Sequence, residues 1–549
     1  MASALFSWDI FFAAVSALIL FLYGIENFSQ RIQLIAGQRF RQLLARLTKN
    51  PWKGALLGAV STAIVQSSTA ITVISVSLVN SGTISFAQSL GIIIGANIGT
   101  TFTAQLLANN LATFGPLFIA LGFLFDIFGK KYKFLGKPIF YFGLVFFSMT
   151  LLTGTLVPFK NDPAAVAFVS GSLSLPVALL AGIILTIIFQ SSAVTTGLII
   201  VLAQANLITL ANAIPLLLGA NIGTTTTALF AASRMDLFAK RAAAAHTLFN
   251  VIGAVIFIPL LVPFAYAVSL LGGSVAQQIA NAHVIFNVAN AVIFLALIAP
   301  FTAVVERLVQ GNEREILFRT RFLEERLPEA NSEAFARIEN ELRHAMEITA
   351  ELLDESMKTI RTASRENTDR VAKLEALNDF LDEKIESAIH ALSTRKLSET
   401  DALKTILLVR MSNVVERIGD NGEDISNVSV AIAESGSLLP DEQLMGLEET
   451  YALLRRDIGA LASSVPMIEE ETVKSVKAAD KEFWDKISKQ YELHLKRLSD
   501  ENVPADSRFL EALSVMEAVS AKAREIRKLA AMYPVPARGA VPQKPGSNV

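Results

Sequence analysis

Hydrophobicity divides the chain into two unlike parts. No Lys, Arg, Asp or Glu occurs from Gly54 to Phe125, from Pro163 to Ser233, or from Ala242 to Val305. Uncharged runs of this length exceed the ~20 residues an α-helix needs to cross a bilayer. They predict apolar segments at 5–25, 54–79, 83–108, 112–129, 138–158, 175–203, 207–233, 242–268 and 277–303. From Glu306 the pattern changes to charged amphipathic helices: Glu339–Ile360, Val371–Leu392, Leu403–Ile432, Asp441–Ser463, Val473–Arg497 and Arg508–Met532. Six such helices predict two three-helix bundles. The tail Pro534–Val549, with Pro534, Pro536, Pro542 and Pro545, reads as disordered.

Polar breaks fall inside the apolar part, and they come in pairs. Gln66-Ser67-Ser68 is followed 29 residues later by Gly95-Ala96-Asn97-Ile98-Gly99-Thr100-Thr101. Gln190-Ser191-Ser192 is followed at the same spacing by Gly219-Ala220-Asn221-Ile222-Gly223-Thr224-Thr225, an offset of 124. Gly58/Gly182, Thr62/Thr186, Thr72/Thr196 and Thr103/Thr227 extend the match. Duplicated halves with polar interruptions at matching places point to a transporter's binding site.

Charge refines the topology. Basic clusters lie at Arg31/Arg39/Arg41/Arg46/Lys49/Lys53, at Lys130/Lys131/Lys133/Lys137 and at Arg234/Lys240/Arg241. The positive-inside rule assigns all three to the cytoplasm. They reach one side if 54–79 and 175–203 each enter and return on the same face, with Gln-Ser-Ser at the hairpin tip. Arms of ~13 residues span ~20 Å, too short to cross ~30 Å of hydrocarbon. Three spans (83–108, 112–129 and 138–158) then separate the hairpins, and an odd number inverts the second repeat. The fold class expected is all-α: a polytopic membrane domain of inverted repeats with two re-entrant helical hairpins, then a soluble helical-bundle domain. The divisions are 1–305 (repeat one 1–130, repeat two 131–270, extra span 277–303), a linker at 306–334, bundles at 335–533 and the tail 534–549.

Composition narrows the class. Residues 1–305 carry 14 Lys+Arg against 5 Asp+Glu, and the remainder 34 against 45. No basic patch with interleaved aromatics suggests nucleic acid. Cysteine is absent, so disulfides and thiolate metal sites are excluded. The apolar N-terminus lacks a basic region ahead of it and reads as a retained span. The membrane part has no carboxylate pair, nucleophile–base set or phosphate loop ahead of a Lys, which argues against an enzyme.

The breaks themselves can bind ions. A helix that starts at a hairpin tip offers unpaired N–H groups and the positive end of its dipole to an anion. One that ends there offers carbonyls to a hard cation. Ser67, Ser68, Thr69, Ser191, Ser192 and Thr195 add hydroxyls, and Gln66 and Gln190 add amides. With no Arg or Lys in these segments, a buried anion calls for a co-bound cation. Gly95xxxGly99 and Gly219xxxGly223 also fit close helix packing. The echoes His246/Asn250 and His283/Asn287 fit either interhelical hydrogen bonding or a proton relay. In the soluble part Glu375/Asp379 and Glu416/Asp420/Asp424 stand at helical i,i+4 spacing. They fit a solvated acidic face or an oxygen-ligand metal site.

The paired Gln-Ser-Ser and Gly-Ala-Asn-Ile-Gly-Thr-Thr motifs closely resemble the type II sodium-dependent phosphate cotransporter family over residues 1–305. The resemblance implies sodium-coupled uptake of inorganic phosphate. It implies substrate and sodium sites at Gln66, Ser67, Ser68, Thr69, Gln190, Ser191 and Ser192, with Asn97, Thr100, Thr101, Asn221, Thr224 and Thr225 nearby. Thr69 is matched by Ala193, so the two halves differ at that position. Residues 335–533 resemble a PhoU-like domain through Val415-Glu416-Arg417-Ile418-Gly419-Asp420 and Glu375xxxAsp379. That resemblance implies a divalent metal held by Glu375, Asp379, Glu416 and Asp420. Lys477, Lys481 and Ala521 replace the acids in the second bundle, where a second metal site reads as lost.

The expectation is a sodium:phosphate symporter of the cell inner membrane, multi-pass, with its C-terminal domain cytoplasmic and regulatory. Its cargo is phosphate with sodium ion. Its surroundings are the lipid bilayer, a cytoplasmic signalling partner and a homo-oligomer, without nucleic acid. The rivals are a carrier of another oxyanion on the same scaffold and a membrane-anchored phosphate sensor.

Overall fold

The computed structural model describes residues 8–47, 50–161, 174–311, 315–324, 326–362, 364–434, 439–498 and 507–534. The chain forms two compact units, Met1–Glu315 and Ile316–Val549. Among the described residues there is no β-strand. The tail beyond residue 534 lies outside the described residues.

In the first unit the helices are α1 Trp8–Leu47, α2 Pro51–Val65, α3 Ser68–Asn80, α4 Phe86–Ala108, α5 Gly115–Phe128 and α6 Lys133–Leu156. They continue as α7 Leu175–Phe189, α8 Ser192–Gln204, α9 Leu210–Gly223, α10 Thr225–Ala232, α11 Leu237–Phe257, α12 Leu261–Ser269, α13 Val275–Ala296 and α14 Ile298–Leu308. Among the described residues six stretches are long and apolar enough to cross a membrane: Trp8–Ile35, Phe86–Ala108, Lys130–Lys160, Leu210–Ala232, Leu237–Ser269 and Val275–Ala296.

The repeat survives in the elements residue for residue. The bounds of α7, of α8 and of the α9–α10 pair are those of α2, α3 and α4 plus 124, for example 51 to 175 and 108 to 232. Glycine carries the packing. A Cβ at Gly91 would meet the Pro51 carbonyl, one at Gly95 the Ala55 carbonyl, and one at Gly99 the Ala59 carbonyl. These pairs keep a constant separation of 40, so α2 and α4 run parallel with their backbones in contact. Gly219 against Leu179 and Gly223 against Ile183 repeat the arrangement between α7 and α9. The glycine motifs are therefore packing devices, the reading their spacing also allowed.

Two segments depart from expectation. The segment 112–129 begins within a 3₁₀ turn, Asn110–Phe114, and continues as the 14-residue α5, with Pro116 in its first turn. At 1.5 Å per residue α5 is only ~21 Å long. It packs antiparallel to α6 through Gly115, Gly122, Gly136 and Gly143. In contrast α1 is one unbroken helix of 40 residues, because nothing between Trp8 and Leu47 breaks it.

The second unit holds α15 Asn331–Arg361, α16 Arg365–Ser393, α17 Glu399–Glu434, α18 Asp441–Ser464, α19 Glu470–Leu498 and α20 Ser507–Ala531. The first three and the last three pack as two bundles, sharing one core in which Ile338, Leu381, Ile418, Leu447, Ile458 and Leu513 are fully buried. Part of the expected linker belongs to this unit. The fully buried carboxylate of Glu341 accepts from the backbone N–H groups of Arg321, Phe322 and Leu323 at 3.0, 2.6 and 3.0 Å.

Candidate functional site

Each Gln-Ser pair is a helix break with the same backbone. Gln66 (φ 58°, ψ 29°) ends α2 and Gln190 (φ 51°, ψ 25°) ends α7, both left-handed. Ser67 (φ −149°, ψ 100°) and Ser191 (φ −150°, ψ 112°) follow, extended. Glycine is the usual residue at a left-handed helix end. A glutamine held there costs roughly 1–3 kcal/mol. Each serine then starts the next helix by accepting a backbone hydrogen bond on Oγ, from Ala70 N–H at 3.2 Å and from Val194 N–H at 3.4 Å. Serine is a preferred cap for this reason.

Both breaks line one cavity of about 770 Å³. Of the expected site residues, Gln66, Ser67, Ser68, Thr69, Thr100, Gln190, Ser191 and Ser192 are brought together in its wall. The volume falls within the ~300–1,000 Å³ of ligand cavities.

The other expected residues turn into helix packing. Asn97 Nδ2 donates to the Ile93 carbonyl at 3.0 Å. Thr101 and Thr225 donate to the Ile98 and Ile222 carbonyls at 2.7 and 2.8 Å, and Thr224 to the Ala220 carbonyl at 2.9 Å. Such back-bonding is the ordinary fate of a helical threonine. Asn221 Oδ1 lies 3.1 Å from His283 Nε2, and its Nδ2 donates to Asn287 Oδ1 at 3.4 Å. This is the interhelical bonding the His/Asn spacing allowed. Arg241 is buried, and it donates to the carbonyls of Val309 at 3.1 Å and Gly311 at 3.4 Å. It ties the start of α11 to the chain after α14.

The two breaks are inequivalent. In the first, Gln66 Oε1 accepts from Thr103 Oγ1 at 2.7 Å and Gln66 Nε2 donates to the Ala63 carbonyl. The equivalent Gln190 and Thr227 make no such bond among the described residues. In the second break Thr186 Oγ1 donates to Thr195 Oγ1 at 2.9 Å, joining α7 to α8. Ile71 stands where Thr195 has its counterpart, and the buried Thr62 hydroxyl is left without a partner.

Sequence reasoning missed the contribution of α1. Glu26, Ser29, Gln30 and Gln33 line the same cavity. Ser29 Oγ donates to the Val65 carbonyl at 3.3 Å, Gln33 Nε2 to Ser29 Oγ at 3.0 Å, and Gln30 Nε2 to Glu26 Oε1 at 3.2 Å. The spacing i, i+3, i+4, i+7 of four polar residues was the available signal. It lies outside the duplicated motifs, which drew the reading elsewhere. Thr103, another lining residue, was visible only as a match to Thr227.

In the second unit Glu375, Asp379 and Asp420 bring oxygens within 4.8 Å of one another. Glu416 is not in that group. Burial, and then the neighbouring Asp379, push the Glu375 carboxyl up to about 7. Burial first and the same neighbouring acids also raise Glu416 and Asp420. Three carboxylate oxygens at this spacing are of the ligand type a hard divalent cation takes, though Asp379 and Asp420 are exposed and Lys522 and Arg417 act on Asp420. In the second bundle Lys477 and Lys481 are exposed. Asp480 there pairs with Arg527 at 3.4 Å and Arg524 at 3.6 Å.

Comparison with known proteins defines the class. The Na+/Pi-cotransporter family matches residues 20–154 and 171–262, and the PhoU domain matches 342–428. An uncharacterized protein of Bacillus subtilis, YqeW, is 34% identical over 269 residues, covering 48% of this chain and 87% of that one. The putative inorganic phosphate export protein YjbB of Escherichia coli is 29% identical over 248 residues, covering 45% of this chain and 46% of that one. The sodium-dependent phosphate transport protein 2C of Mus musculus is 45% identical over 94 residues, 16% of each chain. Thus the chain spans about half of the export protein and less of the mouse carrier. No solved structure matches. The chain belongs to the Na+/Pi-cotransporter family, a family of membrane transporters and not of enzymes.

Proposed function

We propose that this chain moves inorganic phosphate across the cell inner membrane in symport with sodium, by alternating access. The observation that carries the reading is the cavity shared by two helix breaks of matching backbone. At each break a helix begins, at Ser68 and at Ser192, and its free N–H groups suit phosphate oxygens. At each break another helix ends, and its carbonyls suit sodium. Among the described residues no Arg or Lys lines the cavity wall, which favours a cation travelling with the anion.

The parallel packing of α2 with α4, and of α7 with α9, supports re-entrant hairpins. A chain that comes back parallel after one intervening helix turns back twice, once at the break. The arms α2 and α3, of 15 and 13 residues, reach only ~22 and ~20 Å. Inverted repeats follow if α4, α5 and α6 all cross. Rocking of one repeat against the other then opens the cavity to each side in turn. The second unit is read as a cytoplasmic regulatory domain in which Glu375, Asp379 and Asp420 would hold a divalent cation.

Symport is reversible, so the sodium gradient sets the direction, inward in a cell that extrudes sodium. The test is radiolabelled phosphate flux in proteoliposomes holding the full chain. Accumulation driven by sodium in either orientation, with competition by arsenate stronger than by sulfate, is the expected result. Flux indifferent to sodium refutes the coupling. Preference for sulfate would move the chain to another oxyanion.

A further inference from the structure

The cavity wall contains one ionisable side chain among the described residues, and it belongs to neither repeat. It is Glu26, on the face of α1 that also presents Ser29, Gln30 and Gln33. Two features show that this face is built into the site. Ser29 donates to the Val65 carbonyl, the last of α2 before the break, and Gln33 donates in turn to Ser29. Gln30 Nε2 donates to Glu26 Oε1 at 3.2 Å, which orients the carboxylate. Helix α2 ends at this point, so its negative dipole end faces the same region.

A fixed carboxylate in a cavity without Arg or Lys repels an anion and attracts a cation. Glu26 is exposed to the solvent that fills the cavity, so both effects are moderate, about 1 kcal/mol for an ion at ~4 Å. Phosphate therefore meets an unfavourable potential there and a cation a favourable one. From this we infer that Glu26 recruits the sodium ion. The inference rests on the symport reading above and adds to it a residue. It also gives the first break a cation-facing role that the second break, without such a carboxylate, does not share.

The experiment compares wild-type chain with Glu26→Gln, Glu26→Asp and, as a charge control outside the cavity, Asp9→Asn. Two readouts are taken at constant ionic strength, with sodium chloride exchanged for choline chloride. One is phosphate flux in proteoliposomes; the other is the thermal shift that sodium alone produces on the detergent-purified chain. For Glu26→Gln the half-saturating sodium concentration rises about fivefold in both readouts. Its flux at saturating sodium recovers. Glu26→Asp falls between, which also shows that the position tolerates substitution, and Asp9→Asn follows the wild type. Sodium curves for Glu26→Gln that overlay a sodium-dependent wild type overturn the inference and leave symport standing. A wild type that answers to sodium in neither readout overturns both.

Discussion

The Thr103–Gln66 hydrogen bond separates the two breaks, so removing it and its counterpart should give unequal results. Thr103→Val keeps the shape and deletes the hydroxyl that donates to Gln66 Oε1 at 2.7 Å. One such bond, with its acceptor left in a half-buried place, is worth about 1–2 kcal/mol. Every 1.4 kcal/mol is a factor of about ten in an equilibrium. If Gln66 binds its ion only in the orientation this bond fixes, the competent population drops roughly 5- to 30-fold. The same substitution at Thr227 removes no bond to Gln190 and should leave transport within about twofold. The assay is sodium-driven phosphate flux, with thermal unfolding in parallel to confirm that both variants fold. Equal loss in the two variants, or no loss in Thr103→Val, would refute the argued asymmetry.

Other perturbations test other links. Gly95→Ala and Gly219→Ala each drive a Cβ into a backbone carbonyl that cannot swing aside, so each should destabilise by at least ~1–3 kcal/mol. Melting of the purified variants checks this, and no change in either would contradict the parallel helix contact. Gln190→Gly relieves a left-handed backbone costing ~1–2 kcal/mol against ~0.5–1 kcal/mol of glycine entropy, so stability holds or rises slightly. Phosphate flux in Gln190→Gly should nonetheless be lost; full activity would remove the amide from the site. Glu375 binds its proton more tightly in the folded unit, so its contribution is present below about 4.5 and lost as pH rises through about 7. Glu375→Gln should therefore melt higher than wild type at pH 8 but not at pH 4, and calcium or manganese should stabilise only the wild type. Equal melting at pH 8 would show that the crowded charges are already compensated.

The sequence was informative where its chemistry was local. Gln and Ser interrupting apolar runs mark the breaks because a left-handed residue followed by a capping serine is a two-residue event. The duplication of that event placed α7 and α8 as surely as α2 and α3. The six helices of the second unit were legible from their periodicity, which burial of one face enforces. Side-chain direction was not legible. Thr100 and Thr101 both bond to their own helix, yet only Thr100 lines the cavity, a difference of 100° that composition does not encode. Nor was α1 legible, since its polar face acquires meaning only when Val65 lies across from Ser29.

The fixed form of the breaks bears on how tightly any cargo can be held. Gln66 N–H is already committed to the Thr62 carbonyl at 2.7 Å, and Ser67 to its cap. Freezing a residue's backbone costs roughly 1–2 kcal/mol, and here that loss falls on folding, not on binding. A loop that closed over its ligand would charge the loss to every arrival and recover it at every departure. The first break, bonded in this way before any cargo arrives, is preorganised, so arrival and release there differ chiefly by the contacts made. A rigid edge of this kind suits an ion that is to be held briefly and let go on the other side.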